Sequence, residues 1–274
     1  GNDIKDESEV IKVHPFVIPL HDLKIVRKIN ARSIKKSIKK AIIENNFTKP
    51  IIISSSPLIG NILGSFNETS SHYFCLDDYS QFDGAFDSMI DLENELLEKV
   101  SCSFAVSDTL VKTRKPNTGF SYFLPQGVST EHFIKDKDKI PEEVKNLKKP
   151  VIGFFGLVSE WIDLNLIVHS AKSLPDYTFL IIGKPSVDIS ILKECENIIF
   201  IGEIPFKELP LYASAFDLGI IPFVVNELTI ACNPLKLLEY LSLTIPVVST
   251  NLPEVQKFNK SVSVVTSYDE FVEA

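Results

Sequence analysis

Short apolar runs rich in β-branched residues recur along this chain, and most are followed by a stretch of helical periodicity. In the first half they are Pro50–Ser54, Tyr73–Leu76 and Ser103–Val106. In the second half they are Val151–Phe155, Phe179–Ile182, Ile198–Ile201, Leu218–Ile221, Val247–Ser249 and Val262–Val265. Each is nearly continuous in apolar character, which predicts strands buried on both faces, as in a parallel sheet covered by helices. The alternation of strand and helix predicts a doubly wound α/β architecture. Residues 134–149, IKDKDKIPEEVKNLKK, are charged and contain Pro141. They read as a linker or a short surface helix. The expected division is therefore a first domain over 1–134, a linker over 135–149 and a second domain over 150–274. No repeat of 20–50 residues is visible, although both halves read as the same kind of unit.

Composition narrows the class. Of 274 residues, 45% are apolar and 23% are charged, the profile of a soluble globular protein. The apolar stretch at 217–225 falls far short of the roughly 20 residues that a membrane-spanning helix needs. The chain opens on the charged run Asn2–Glu7, which is unlike a signal segment. A net charge of −8 argues against a nucleic-acid partner. The average hides a split, because residues 1–50 carry 11 Lys/Arg against 6 Asp/Glu. That positive charge sits between Lys24 and Lys40, with no acid inside. The periodicity of this stretch predicts a helix with Ile34, Ile38, Ala41 and Ile42 on one face and Lys35, Lys36, Lys39 and Lys40 on the others. Those lysines either dock on an anionic membrane surface or are simply solvated. Cys75, Cys102, Cys195 and Cys232 form no C-x-x-C pair, so buried reduced thiols are expected rather than a zinc site. Asp136–Lys137–Asp138 has a D-x-D form, but in a charge run it reads as solvated surface.

Three runs in the second half end on glycine, at Gly156, Gly183 and Gly202. Ligands of open α/β sheets bind outside the carboxyl ends of the strands, so these glycines mark a ligand edge or are ordinary turn residues. Asn233–Tyr240, NPLKLLEY, reads as a helix start with Asn233 as N-cap and Pro234 in the first position. Such an N-terminus favours a phosphate. Lys236 would add charge beside it, and Glu239, three residues on, shares its face. That pair is either a nucleotide site or a surface ion pair.

The order and spacing of VIGFFGLVSEWIDLNLI, YTFLIIGKP, NIIFIGEIPFKELPLYASAFDLGIIPF and NPLKLLEYLSLTIPVVSTNLPEV resemble the nucleotide-sugar-binding domain of GT-B glycosyltransferases. The likeness is to the retaining type that builds bacterial surface polysaccharides, of teichuronic-acid or capsule kind, in a branch carrying P-x-K-x-x-E-Y. In the first half YFCLDDY, SFAVSDTL and FLPQGVSTEHF resemble the same family. The resemblance implies two Rossmann-like doubly wound domains facing a cleft. Because relatives begin with a strand, loop and helix before the strand matched at Val13–Ile18, it also implies an incomplete first domain.

By the same resemblance, Glu239 binds the donor ribose as the second Glu of a Glu-x7-Glu motif. The first falls on Ala231, so a carboxylate contact to the donor sugar is missing. The usual basic pair after the first strand-end glycine is absent too, since Leu157 follows Gly156. Diphosphate neutralisation then falls to Lys236 and the helix start at Asn233. Ile204 and Pro205 match the loop that holds the base. Gly127 matches a glycine beside the interdomain cleft. In similar inverting enzymes an acidic residue on the side of Asp77 and Asp78 deprotonates the acceptor, though an adjacent pair could equally cap a helix.

The function implied is transfer of a sugar from a nucleotide-diphosphate sugar to a cell-envelope glycan or lipid-linked acceptor. No cofactor or metal is expected, and a cytoplasmic protein peripheral to the inner face of the plasma membrane is. The alternative is a catalytically silent GT-B module that binds a nucleotide sugar, a glycan or a partner subunit. A sugar-nucleotide epimerase on the same fold fits less well, because the five histidines do not cluster with acids.

Overall fold

The computed structural model describes residues 10–274, so the charged opening at Asn2–Glu7 lies outside the described residues. The chain divides into two units, 1–124 and 125–274. The first contains helix α1 (Lys24–Glu44), strand β1 (Ile51–Ser54), a 3-10 turn (Pro57–Ile62), β2 (Ser70–Cys75), α2 (Met89–Leu97), β3 (Cys102–Ala105), α3 (Asp108–Thr113) and β4 (Phe120–Phe123). Its four strands pair in parallel in the order β1-β2-β3-β4. Tyr73 and Cys75 of β2 and Ala105 of β3 are fully buried, as are Leu96 of α2 and Leu110 of α3.

Three expectations fail in this unit. No strand forms at Val13–Ile18. The segment has no regular structure, and both backbone polar groups of Ile18 are taken by the side-chain amide of buried Asn30, each at 2.8 Å. Strand β4 carries no legible signal because FSYF lies at a sheet edge, with Phe120, Tyr122 and Phe123 exposed. The strands are also not buried on both faces. β2 alternates between half-buried and buried positions, and Ile51 and Ile53 of β1 are exposed.

The predicted basic helix is present as α1. Its inward face buries Val26 and Asn30, while Ile34, Ile38, Ala41 and Ile42 are only half-buried.

The second unit holds α4 (Glu142–Lys145), β5 (Val151–Phe155), α5 (Leu164–Ser173), β6 (Thr178–Ile182), β7 (Ile198–Ile201), α6 (Leu209–Ala213), β8 (Leu218–Ile221), α7 (Glu227–Ala231), α8 (Leu235–Ser242), β9 (Val247–Thr250), α9 (Pro253–Gln256), β10 (Ser263–Val265) and α10 (Tyr268–Glu273). Here the both-faces-buried pattern holds for the inner strands, with every residue of β5 and β6 buried, but not at the edges, where β7 is half-buried throughout and β10 starts on an exposed residue. The six strands are parallel in the order β10-β9-β8-β5-β6-β7. From β5 the chain builds outward through β6 and β7, then returns beside β5 with β8.

Residues 125–149 belong to this second unit. Phe133 and Val144 reach its core, at 2% and 1% exposure, so the charged segment is anchored by one apolar residue just before it and one within it. Asp136 pairs with Lys139 at 2.8 Å and accepts from the Asp138 N–H, which accounts for the D-x-D sequence locally. Of the cysteines expected to be buried, Cys75 and Cys195 are, whereas Cys102 and Cys232 are half-buried. Among the described residues, no helix is long and apolar enough to cross a membrane.

Candidate functional site

The strand order places a switch point between β5 and β8, where ligands of doubly wound sheets bind at the carboxyl ends. Gly156 ends β5 and Gly183 ends β6, with φ of +143° and +151°. At Gly183 a side chain is excluded by more than backbone strain, because the clash is with backbone, whereas at Gly156 it is with the movable end of a lysine. A Cβ on Gly183 would meet the Gly156 carbonyl oxygen at 1.7 Å, and one on Gly156 would meet Lys236 Cε at 2.4 Å. The glycines therefore let two strand ends and one lysine close on the same spot. Gly202 and Gly127 carry no such demand, since a Cβ on either meets nothing within 4 Å.

Lys236 comes from the first turn of α8. The helix starts one residue later than its sequence suggests. Pro234 is the N-cap, with φ −71° and ψ 106°, so Asn233 lies outside the helix. Strand and helix are joined by Tyr240, whose hydroxyl accepts the Phe155 N–H at 3.2 Å. The Tyr240 ring meets that of Phe155 edge-on at 5.0 Å. Lys236 Nζ sits 5.4 Å over the Phe155 ring and 3.7 Å from Glu239 Oε2. The i,i+3 pair thus closes at the strand ends rather than on an open surface.

Glu239 is 4% exposed, and its Oε2 has no hydrogen-bond partner. Burial raises its carboxyl above the usual range, opposed by the charges of Lys236 and His132. A buried carboxylate oxygen without a donor is costly unless something supplies one. A ribose or sugar hydroxyl is such a donor. Ile204 follows β7 and lines a cavity of about 300 Å³ with Gly156 and Gly183, while Pro205 is exposed beside it. Ala231, where a carboxylate was expected, is buried in α7 at 1% exposure, and Glu227 lies at the exposed start of that helix.

In the first unit the two aspartates after β2 have different fates. Asp78 is paired with Arg114 at 2.5 Å. Arg114 in turn reaches Glu93 at 3.1 Å, and Glu93 accepts from the Tyr73 hydroxyl at 2.6 Å. Asp77 stands outside this network, and burial with Asp78 beside it raises its carboxyl to about 6. The sequence does not separate these two residues, because the discriminating Arg114 is remote in the chain. Lys35, Lys36, Lys39 and Lys40 lie along α1, with Lys40 3.7 Å from Glu44.

Residues 149–274 match the family model described as Glycosyl transferases group 1. The fold is that of the GT-B glycosyltransferases. Sucrose-phosphate synthase of Thermosynechococcus elongatus superposes with a TM-score of 0.73 at 15% identity, over 96% of this chain and 72% of that one. Anabaena HepE, solved with UDP and glucose, gives 0.69 at 14% identity, over 87% and 70%. TarM of S. aureus, solved with α-GlcNAc-glycerol and UDP, gives 0.60 at 15%, over 86% and 51%. In sequence, the chain is 34% identical over 139 residues to TuaH of Bacillus subtilis, named as a candidate teichuronic acid biosynthesis glycosyltransferase. That match covers 49% of this chain and spans about a third, 35%, of TuaH's own length.

Proposed function

We propose that the protein transfers a sugar from a nucleoside-diphosphate sugar to a cell-envelope glycan or lipid-linked acceptor. The second unit would hold the donor and the first the acceptor. The observation that carries this reading is the Lys236–Glu239 pair over Gly156, at the switch point of the GT-B glycosyltransferase fold. Lys236 and the N-terminus of α8 face the place where a leaving diphosphate gains charge, and a fixed cation and dipole there lower the barrier. Glu239 would accept from the ribose hydroxyls. Strand-end Gly156 and Gly183 let the donor approach the backbone, and Ile204 and Pro205 border the base. The relatives support the substrate class. HepE is solved with UDP and glucose, and TuaH is named for teichuronic acid synthesis. The test is slow hydrolysis of nucleotide sugars, followed by transfer to a lipid extract. Turnover of at least one nucleotide sugar is expected. Tight nucleotide binding with no turnover would favour the silent module, which the alanine at position 231 would then explain.

We also propose that α1 docks the protein on an anionic membrane at the inner face of the plasma membrane, where lipid-linked acceptors reside. The outward face of α1 carries Arg32, Lys36, Lys39 and Lys40 among exposed Ile25, Ile29 and Ile43. At about 1 kcal/mol per basic residue near such a surface, several suffice for reversible binding. Sedimentation with phosphatidylglycerol vesicles is expected, and none with phosphatidylcholine. Reversing Lys35, Lys36, Lys39 and Lys40 to Glu should abolish it, and unchanged sedimentation would overturn the proposal.

A further inference from the structure

The loop after β7, Gly202–Phe206, ends on an aromatic ring left 59% exposed. A large ring kept in water calls for an explanation, and here it is also held in place. His132 stacks on it with ring centroids 4.5 Å apart and planes 22° from parallel. The same histidine's Nε2 lies 3.0 Å from the Phe206 carbonyl oxygen, so its N–H can donate there. Phe133, at 2% exposure, meets the Phe206 ring edge-on at 5.7 Å. An exposed surface loop gains little stability from such bracing. A binding loop gains preorganisation, because its ordering cost is met before ligand arrives.

The braced ring borders the cavity of about 300 Å³ that also touches Gly156, Gly183 and Ile204. His132 is not among the residues lining it, so the ring has the histidine on one face and the cavity beside it. A volume this size is at the small end for ligand pockets and suits one flat heterocycle rather than a whole nucleotide. Gly156, which lines the same cavity, also abuts Lys236, the partner of Glu239, so the cavity and the carboxylate assigned to the ribose share one strand end.

We propose that Phe206 is the stacking platform for the donor's nucleobase, and that His132 is the positioning residue that braces it. This rests on the reading of the second unit as the donor site. Stacking is sequence-tolerant because every base has a π face, so affinity comes from the ring and base identity from neighbouring backbone groups. Glu203 and Lys184 also line the cavity.

Calorimetry with uridine diphosphate and with pyrophosphate tests this. Phe206→Ala should lower affinity for uridine diphosphate on the order of tenfold, within the range of base–aromatic stacking. Affinity for pyrophosphate, which has no base, should not change. His132→Ala should weaken uridine diphosphate binding in the same sense, and His132→Phe, which keeps a ring, should restore it. A spectroscopic readout comes from Phe206→Trp in a Trp161→Phe background, where uridine diphosphate should quench the emission and pyrophosphate should not. Unchanged uridine diphosphate affinity in Phe206→Ala, or equal loss of both ligands, would overturn the platform and leave the donor site standing. Failure of the unaltered protein to bind either ligand would overturn the donor-site reading and the platform with it.

Discussion

Lys236→Ala is expected to weaken binding of nucleoside diphosphates by roughly ten- to a hundredfold, with the fold intact. A hydrogen bond to a charged group contributes about 1.5–3 kcal/mol, and each 1.4 kcal/mol is tenfold in affinity. The loss is compounded at Glu239. Lys236, 3.7 Å away, is one of the charges that oppose the effect of burial on this carboxyl. Without it the Glu239 carboxyl rises further, and the neutral acid is a poorer acceptor for ribose hydroxyls. The two residues should therefore be non-additive, with Lys236→Ala/Glu239→Gln little worse than Lys236→Ala alone. Calorimetry with uridine, guanosine and adenosine diphosphates measures this and reports base preference as well. Wild-type affinity in both single variants would remove these residues from the site.

The pairing of Lys236 with Glu239 was legible because it is local. Three residues apart on one helix, they share a face whatever the rest of the fold does. The strands of the second unit were legible for a related reason. A parallel sheet covered on both sides leaves continuous apolar runs, and β5 through β9 have them. The edge strand β4 has no such run, because its exposed positions impose no pattern that distinguishes FSYF from a loop. The Val13–Ile18 segment misleads in the opposite way. It is as apolar as a strand, but its backbone groups at Ile18 go to a side chain, Asn30. The base platform was not legible at all. His132 and Phe206 are separated by 74 positions and meet only once the sheet has formed. The signal that was available, an aromatic directly after Pro205 at a predicted helix start, has an ordinary capping explanation.

The same non-locality decides between the two aspartates, and it makes opposite predictions for them. Asp78 is held by Arg114 at 2.5 Å, with both side chains largely buried, and Arg114 is also bound to Glu93. Asp78→Asn leaves Arg114 short of one compensating charge, and breaking a buried pair costs about 3–5 kcal/mol. Asp77→Asn should do the reverse. Burial raises the Asp77 carboxyl from 3.8 to about 6. Between those values the folded state holds more protons than the unfolded state, so wild-type stability falls as pH rises through that window. Above pH 6 the full penalty is present, at most about 3 kcal/mol for a shift of this size. The amide carries no charge, so Asp77→Asn should be the more stable protein at pH 7, with the gain shrinking toward pH 4. Transfer should move the other way. If Asp77 takes the acceptor's hydroxyl proton as the new glycosidic bond forms and the diphosphate departs, Asp77→Asn should lose about 10²–10⁴ in rate. The acid limb of kcat/KM near pH 6 should disappear with it. A variant that gains stability at pH 7 while losing transfer marks a group whose strained ionisation serves the reaction. A variant that gains stability and keeps its rate would show that Asp77 is half-buried for packing alone, and the proton would have to go elsewhere.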